Sequence, residues 1–449
     1  MAFEITKGLL ENVTLHIENG NDNALSMLFS EMHYADIAEV LEEISYNEAV
    51  YVIKLLDSET TSDILIELDE DVREKIFEQL TAKEIAEEVE ELDSDDAADI
   101  IAELPEERQE AVMSQIEDEE HVKEIEELLT YDENSAGGLM AKELVQVNEN
   151  WTVLKCVKEM RIQAEEVTRV HSIYVVNETG QLKGRLSLKD LLVASTRTPI
   201  SEIYIPKVDS VHVNESAEDV ANVMRKYDLE AIPVIDDNET LVGRITIDDI
   251  VDVIKEEADK DYQMAAGLTQ DVDSDDSIFH LTKARIPWLF LGLIGGIGAF
   301  LIMEGFQDLF SEDAILFFFT PLIAAMAGNV GVQSSAIIVQ GLANDDVKGS
   351  INNRLIKEML LAALNGLILS VFLFLFIWLY NGEAQKALAI SVSLIVVIIV
   401  AGLIGTFIPL FLNKRGIDPA IATGPFITTS NDIFGILIYF WIAKFIIGM

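Results

Sequence analysis

The chain has 449 residues, of which 50% are hydrophobic, and it carries a formal charge of -48 at pH 7. Residues 283–449 hold 9 basic and 10 acidic side chains, so the preceding 282 residues carry -47 of that charge. This acidic excess argues against nucleic acid as a partner, because phosphate binding needs basic surfaces, and it favours cations instead.

The N-terminal segment is polar and lacks the basic and apolar regions of a signal peptide. We therefore expect no cleaved signal peptide and a cytosolic N-terminus. The single cysteine, Cys156, excludes an intrachain disulfide. The six histidines are too scattered along the sequence to predict a zinc site.

A twelve-residue repeat begins near residue 24 and runs to about residue 130, within a domain that we assign to residues 1–132. One apolar row consists of Ile44, Leu56, Leu68, Leu80, Leu92, Leu104 and Ile116. A second row lies three residues earlier and consists of Leu41, Ile53, Leu65, Phe77, Val89, Ile101 and Met113. This spacing predicts both rows on one face of a short helix in each unit. Because one such helix cannot bury its own stripe, the units are expected to stack into a helical superhelix.

Two mixed α/β modules follow, assigned to residues 133–196 and 197–257. Each module reads as strand, helix, strand, strand, helix, and the closing segments 173–192 and 232–251 correspond position by position. Their hydroxyl-x-x-Asp endings, Ser187 to Asp190 and Thr246 to Asp249, resemble the closing motif of CBS domains, which usually pair in tandem. Such pairs often bind adenosine nucleotides, so the resemblance makes ATP a candidate ligand.

A charged connecting helix is expected over residues 258–284, and a transmembrane domain over residues 285–449. Five apolar stretches predict its membrane-spanning helices: Ile286–Met303, Ala314–Leu342, Leu355–Tyr380, Ala387–Leu412 and Ile421–Ile447. Each is long enough for the roughly 20 residues that a helix needs to cross a bilayer. The predicted fold class is therefore a multi-domain membrane protein with an all-α superhelical domain, a CBS pair, a connecting helix and five membrane helices.

Loop charges predict the orientation, because positive charge favours the cytosolic side. The loops expected inside carry Lys283, Arg285, Lys348, Arg354, Lys357, Lys414 and Arg415. The first loop expected outside carries Glu304, Asp308, Glu312 and Asp313. The C-terminus is then external, and the protein is a multi-pass protein of the cytoplasmic membrane in contact with lipid.

Asp432 lies about midway along the predicted fifth span, with no basic residue within one helical turn. An ionised side chain there costs several kcal/mol unless water or a counter-ion meets it. Small and polar residues share its helical face, namely Gly424, Thr428 and Gly435. This stripe predicts a water-filled ion path, and Pro425 is expected to interrupt the backbone bonding nearby. The alternative is a structural carboxylate bonded to the hydroxyls of Thr429 or Ser430.

The second predicted span contains the sequence GNVGVQSS at residues 328–335. Glycines and amides at that depth indicate either close helix packing or a helix that lines a cavity. Asn329 and Gln333 are the pore-lining candidates. Mg²⁺ releases its water reluctantly and is held through few carboxylates, so a wide path with one Asp per subunit suits this ion.

The order of these domains resembles the MgtE family of magnesium channels over nearly the whole chain. The most specific segments are YDLEAIPVID at 227–236, PLIAAMAGNVGVQSS at 321–335 and DPAIATGPFITTSND at 418–432. Val332 departs from the family, in which Asn is common at that position. The resemblance implies a homodimer with its pore on the two-fold axis, lined mainly by the second and fifth spans.

Carried over residue by residue, the resemblance implies a hydrated Mg²⁺ at Asp432. Thr428 and Gly424 then lie toward the cytosol, and Asp418 lies at the inner mouth. It also implies regulatory ions between the helical domain and the CBS pair, at Asp63, Asp95, Glu218, Asp228, Asp249, Asp252, Glu257 and Asp261.

Two positions depart from that regulatory set. Ser216 and Lys260 stand where acids are common in the family, so fewer regulatory ions are expected. The alternative for any one of these acids is an ordinary solvated surface position.

The sequence therefore predicts a Mg²⁺ channel or transporter that serves magnesium homeostasis by moving the ion into the cell. Intracellular Mg²⁺ is expected to close it, because the acidic faces repel one another without the ion. One alternative is transport of Co²⁺, Mn²⁺ or Ca²⁺. Another is a membrane-anchored CBS sensor that conducts nothing. An enzyme is not expected, since the sequence contains no nucleophile-base constellation or phosphate loop.

Overall fold

The computed structural model describes residues 4–165, 167, 169–270, 272, 276–307, 314–343, 350–422 and 424–448. Four of the loop residues used to predict the orientation, Asp308, Glu312, Asp313 and Lys348, lie outside the described residues. The chain divides into two compact units, Met1–Lys255 and Glu256–Met449.

Short helices form the first part of the first unit. They are α1 (Lys7–Glu18), α2 (Asp22–Phe29), α3 (Tyr34–Glu42), α4 (Tyr46–Ile53), α5 (Ser58–Glu67), α6 (Glu70–Phe77), α7 (Ala82–Val89), α8 (Ser94–Glu103), α9 (Glu106–Met113) and α10 (Glu119–Leu128). From α3 to α9 each helix begins twelve residues after the one before. Local sequence fixes several of these starts: Thr81, for example, accepts a hydrogen bond from the backbone of Glu84 and forms a capping box with it. Alternate helices pack together, α3 on α5, α5 on α7 and α7 on α9, so that the repeat builds a superhelix.

The two apolar rows have different positions in this superhelix. The earlier row lies on the helices: Leu65 of α5, for example, has no exposed surface. The later row lies just beyond the helix ends. Leu68, for example, is 3% exposed and is the C-cap residue directly after α5. The expectation that both rows share a helical face was therefore wrong. Each helix is too short to hold both rows, so the residues of the later row lie in the turns that follow the helices.

The two α/β modules share one topology. The first contains β1 (Val145–Asn148), α11 (Val153–Gln163), β2 (Ile173–Val176), β3 (Leu182–Leu186) and α12 (Leu188–Val193). After a 3-10 turn at Ile200–Glu202 and the short strand β4 (Ile205–Pro206), the second contains β5 (Val211–His212), α13 (Ala217–Tyr227), β6 (Ala231–Ile235), β7 (Leu241–Thr246) and α14 (Ile247–Ala266). β1 is parallel to β2 and β2 antiparallel to β3, and β5, β6 and β7 repeat this pattern.

The modules also exchange edge segments. Strand β4, near the start of the second module, pairs with β3 of the first. Conversely, Ala141, which precedes β1, forms a bridge with Arg244 on β7. Each sheet is therefore completed by backbone from the other module, which joins the two modules as a pair.

The second unit contains the membrane helices, which are α15 (Ile278–Gly305), α16 (Ala314–Ala343), α17 (Ile351–Asn381), α18 (Ala384–Asn413) and α19 (Gly424–Ile447). All five are long and apolar enough to cross a membrane, as predicted. α18 packs against α16, α17 and α19 and is the most buried of them, whereas α15 packs on α19 and is the least buried.

The connector differs from its predicted bounds. α14 begins directly after β7 and ends at Ala266, and α15 begins at Ile278, before the predicted first span. Residues 258–284 therefore include the end of one helix and the first turns of the next. The boundary between the two units falls within α14.

Candidate ion path and divalent-cation sites

Asp432 is half-buried on α19, in the ninth position of the helix and so about 12 Å from its first residue. Thr428 lies one turn before it, and its hydroxyl donates to the carbonyl of Gly424 at 3.0 Å. On α16, a Cβ atom built at Gly328 would lie 3.3 Å from Thr428 and 4.0 Å from a carboxylate oxygen of Asp432. The glycine thus brings α16 against the predicted ion-binding face of α19.

The Asp432 carboxylate has no ion-pair or hydrogen-bond partner among the described residues, including the nearby hydroxyls of Thr429 and Ser430. An uncompensated carboxylate at this depth costs about 2.5–3.5 kcal/mol on insertion scales. Water or a cation can remove that cost. The arrangement therefore suits a hydrated ion better than a structural hydrogen bond.

Sequence reasoning missed Asn431, the residue beside Asp432. It is 1% exposed, and its Nδ2 donates to the carbonyl of Ala327 on α16 at 3.3 Å. Its Oδ1 is buried and finds no protein partner among the described residues. A Cβ built at Gly331 would lie 1.8 Å from Asn431 Nδ2, so only glycine leaves room for the amide. Asn431 thereby fixes how α16 and α19 meet next to Asp432.

Two expectations about α19 need correction. Gly435 packs against α16 and α18, where an added Cβ would lie 3.1 Å from Ala327 and 3.4 Å from Val397, so it belongs to a helix contact. Pro425 occupies the first turn of α19. The missing N–H of a proline interrupts no helical bond at that position.

Asn329 and Gln333 lie one turn apart on α16 and are exposed on the single chain. The buried side of the same helix carries Ala327, Gly328 and Gly331, which face α18 and α19. The two pore-lining candidates therefore form a polar stripe on the outer surface of one subunit.

The start of α19 meets the end of α14. Gly424 has φ +41°, and a Cβ there would lie 2.3 Å from the carbonyl oxygen of Ala265. A Cβ built at Gly267 would lie 2.5 Å from Pro425. Both glycines are needed for this close approach. A displacement of the end of α14 would therefore press directly on the first residues of α19.

Acidic residues surround the same region. Asp418 accepts a hydrogen bond from the backbone of Ala420 at 2.8 Å, in the 3-10 turn Pro419–Ala422 that precedes α19. Glu257 forms an ion pair with Lys260 at 3.0 Å. Burial, then the charges of Asp418 and Glu257, raise the pKa of Asp261, which Lys260 partly offsets. The ammonium of Lys260 therefore supplies positive charge to a group of three carboxylates.

In the first unit, the start of α8 faces the start of α14. Asp95 is 9% exposed, and burial together with Asp96 and Asp249 raises its pKa well above the usual range. Burial also raises the pKa of Asp249, although its carboxylate accepts bonds from the backbone and hydroxyl of Thr246 at 3.0 and 2.8 Å. Burial and then Asp249 raise the pKa of Asp96 to about 8. The structure thus places Asp95, Asp96 and Asp249 close enough for each carboxylate to be affected by the charge of another.

A compact group of oxygen ligands lies at this contact. Carboxylate oxygens of Asp93, Asp95 and Glu143 are all within 4.8 Å of one another. Glu143 is held in place by Ser94, whose N–H and hydroxyl donate to its two oxygens at 3.0 and 2.9 Å. Arg244 pairs with Asp93 at 3.2 Å. Three carboxylates around one point are a ligand set for Mg²⁺ or Ca²⁺, and no local sequence signal identified Glu143.

The remaining regulatory candidates do not join this group. Burial raises the pKa of Asp63 on α5. Glu218 is exposed in the first turn of α13, Asp228 ends that helix with φ 51°, and Asp252 is exposed one turn after Asp249. Ser216, one of the departures from the family, accepts a hydrogen bond from the backbone of Asp219 at 3.1 Å and so begins α13.

Family models cover most of the chain. The MgtE intracellular N domain matches residues 32–134, the CBS domain matches 136–197 and 200–256, and the divalent cation transporter family MgtE matches 320–442.

Several curated relatives are named magnesium transporter MgtE. The protein from Bacillus subtilis is 34% identical over 70% of this chain and 70% of its own length. The relative from Enterococcus faecalis is 37% identical over 70% of both chains, and that from Thermus thermophilus is 35% identical over 71% of both.

Two solved structures of other proteins each resemble more than half of this chain. One is the cytosolic domain of the Mg²⁺ channel MgtE in complex with ATP, with 33% identity and a TM-score of 0.51 over 54% of this chain and 99% of that one. The other is the soluble part of a magnesium transporter, with 29% identity and a TM-score of 0.50 over 56% of this chain and 98% of that one.

These matches confirm the predicted fold class, and the family is one of transporters rather than enzymes, as expected. Sequence identity above 30% extends over about 70% of each of the three relatives. The chain therefore belongs to the MgtE family of magnesium transporters.

Proposed function

We propose that this protein is a Mg²⁺ channel that admits the ion to the cytosol along α16 and α19, and that cytosolic Mg²⁺ closes it. The observation that carries the proposal is the Asp432 carboxylate, which has no protein partner among the described residues and lies beside Thr428 and Gly328. A Mg²⁺ ion that keeps its first water shell can be held there by one carboxylate and hydroxyl or carbonyl groups through water.

The pore is formed by a homodimer with the ion path on its two-fold axis. The exposed amides of Asn329 and Gln333 support this arrangement. Amides that face lipid are costly, whereas a second copy of the same helix would cover them or enclose water with them. A two-fold axis brings the same stripe from both subunits together.

Closure begins at the carboxylates between α8 and α14. Mg²⁺ that binds Asp93, Asp95 and Glu143 replaces repulsion with attraction, so it stabilises the closed arrangement of the cytosolic part. Helix α14 continues from there to Ala265, which meets Gly424 at the start of α19. Helix α14 therefore connects the proposed Mg²⁺ sensor to the inner end of the proposed ion path.

Two further elements complete the proposal. The CBS pair binds ATP, as the cytosolic domain of the similar Mg²⁺ channel does in its solved structure. The N-terminus is cytosolic and the C-terminus external, which follows from the loop charges and an odd number of spans.

Flux measurements distinguish two other functions from the proposed one. Transport of Co²⁺, Mn²⁺ or Ca²⁺ would use the same carboxylate, although the sequence of the spans has no cluster of His, Cys or Met residues for a dedicated transition-metal path. A sensor that conducts nothing would have no need for Asp432 on a face of small residues.

The decisive experiment measures Mg²⁺ flux into liposomes that contain only the purified full-length protein. Asp432→Asn should reduce the flux by roughly tenfold or more, since loss of one charged contact of about 1.4 kcal/mol has that effect. Glu304→Gln, which removes a carboxylate from the exposed end of α15, is the matched control and should conduct normally. Normal flux in Asp432→Asn would contradict the proposed path. Flux of Co²⁺, Mn²⁺ or Ca²⁺ above that of Mg²⁺ would reassign the ion.

A further inference from the structure

A histidine and two glutamates meet beside α10. His121 and Glu124 lie three residues apart on this helix and therefore share a face. Glu143 comes from the segment between α10 and β1. The nearest ligand atoms of these three side chains all lie within 4.8 Å of one another. The resulting group combines one imidazole with two carboxylates.

The surroundings of His121 prepare one ring nitrogen for a ligand. The side chain is buried, 9% exposed, and its Nε2 lies 3.3 Å from the backbone carbonyl oxygen of Val89. A carbonyl can only accept a hydrogen bond, so Nε2 carries a proton, and in the neutral ring Nδ1 presents its lone pair. Metal-binding histidines are typically oriented in this way, by a carbonyl that accepts from the other ring nitrogen.

The two carboxylates lack a full counter-charge. Burial, followed by the charges of Glu143 and Glu120, raises the pKa of Glu124 to about 7. The Lys142 ammonium offsets part of this rise in the pKa of Glu124, but it pairs with Glu127 at 2.6 Å. Glu143 accepts two bonds from Ser94, and a carboxylate has about four acceptor positions, so it retains lone pairs for a cation.

We propose that His121, Glu124 and Glu143 bind a divalent transition-metal ion such as Zn²⁺. An imidazole nitrogen favours such metals, whereas an all-oxygen set suits Mg²⁺. The neighbouring all-carboxylate group, Asp93, Asp95 and Glu143, shares one glutamate with this site. The bound metal would tie α10 to the segment that leads into the first α/β module.

The geometry needs a small closure around the ion. Zinc ligands at about 2.0–2.2 Å lie roughly 3.5 Å apart in a tetrahedron. Rotation of the two glutamate side chains can bring their oxygens, now within 4.8 Å of each other and of the imidazole, to this separation. The scattered histidines did not predict such a site, because His121 obtains its partners from acids rather than from other histidines.

The test is Zn²⁺ binding to the full-length protein in detergent, with millimolar Mg²⁺ present to occupy the oxygen sites. One Zn²⁺ per chain should bind. His121→Gln and Glu124→Gln should each weaken its affinity by roughly tenfold or more, as loss of a metal ligand or its support does. His16→Gln, on α1, is the control and should bind Zn²⁺ like the wild type. Absence of Zn²⁺ binding above the Mg²⁺ background, or unchanged affinity in both folded variants, would overturn the proposal.

A second measurement needs no substitution. Pulsed electron paramagnetic resonance of Mn²⁺ bound to the wild type under the same conditions should detect coupling to an imidazole ¹⁴N nucleus. Lack of nitrogen coupling also overturns the proposal, even if the buried His121 variant fails to fold. Neither measurement depends on flux, so failure of this site and failure of the proposed channel can be told apart.

Discussion

The substitution Asp96→Asn tests the electrostatics of the contact between α8 and α14. Asp96 lies beside Asp95 and within the field of Asp249, and burial raises its pKa from 3.8 to about 8. The folded protein therefore binds a proton at Asp96 more tightly than the unfolded chain. Its contribution to stability is fully present below pH 3.8 and is lost as the pH rises through 8.

The magnitude follows from the same pKa values. Each pKa unit corresponds to about 1.4 kcal/mol, so the upper bound for the charged Asp96 at high pH is about 6 kcal/mol of destabilisation. Asp96 keeps partial access to solvent, and screening leaves roughly 2–3 kcal/mol of this bound. Asparagine has nearly the same shape without the charge. At pH 8.5 and without Mg²⁺, the free energy for opening α8 should therefore rise by that amount in Asp96→Asn.

Hydrogen exchange of the full-length protein, followed by mass spectrometry, measures this opening free energy. Protection factors in α8, corrected for intrinsic exchange rates, should rise by roughly 30- to 150-fold in Asp96→Asn at pH 8.5, which corresponds to 2–3 kcal/mol. This gain in the protection of α8 should be smaller at pH 5, where a proton neutralises Asp96. It should also be smaller in saturating Mg²⁺, where the cation neutralises the carboxylates around it. Asp71→Asn removes an exposed charge from α6 and is the control. The reasoning fails if α8 gains no protection, or if Asp71→Asn gives the same gain.

Three further predictions concern topology and gating. A tag at the C-terminus should be reachable only from outside the cell; labelling from the cytosol would remove one span from the proposed topology. The double change Asp249→Asn with Asp252→Asn should leave conduction intact but raise activity at high internal Mg²⁺, measured as flux against internal Mg²⁺; normal closure would exclude these acids from the sensor. Lys260→Glu removes the ammonium that pairs with Glu257 and adds a carboxylate, so half-inhibition should require roughly tenfold less Mg²⁺. An unchanged half-inhibiting concentration, with Lys260→Gln as the charge-neutral comparison, would contradict that role for Lys260.

Local sequence patterns predicted much of the fold of the first unit. The twelve-residue period located the helix starts, since apolar spacing, capping residues and turn length all act within a few residues. The same reasoning placed the later apolar row on the helices, whereas the structure places it in the turns. Sequence spacing cannot decide this point, because a helix end depends on where the next helix packs.

The membrane helices and Asp432 were also evident from sequence alone. Length and apolarity are enough to identify a span, and an ionised group within one is rare enough to attract attention. The sequence was misleading about Gly435, which it placed on the face of the predicted ion path and which packs between helices instead. Asn431, which fixes α16 against α19, carried no signal of its own.

The sequence by itself determined the order of elements, the five helices long and apolar enough to cross a membrane, and the position of Asp432 within one of them, because these follow from local spacing and hydrophobicity. Only the tertiary structure brought Glu143 to Asp93 and Asp95, placed His121 against Glu124 and Glu143, and set Lys260 among carboxylates. These contacts join residues from different helices and connecting segments. Their energies depend on distance and burial in the folded state, and neither quantity is encoded in the spacing of any one segment.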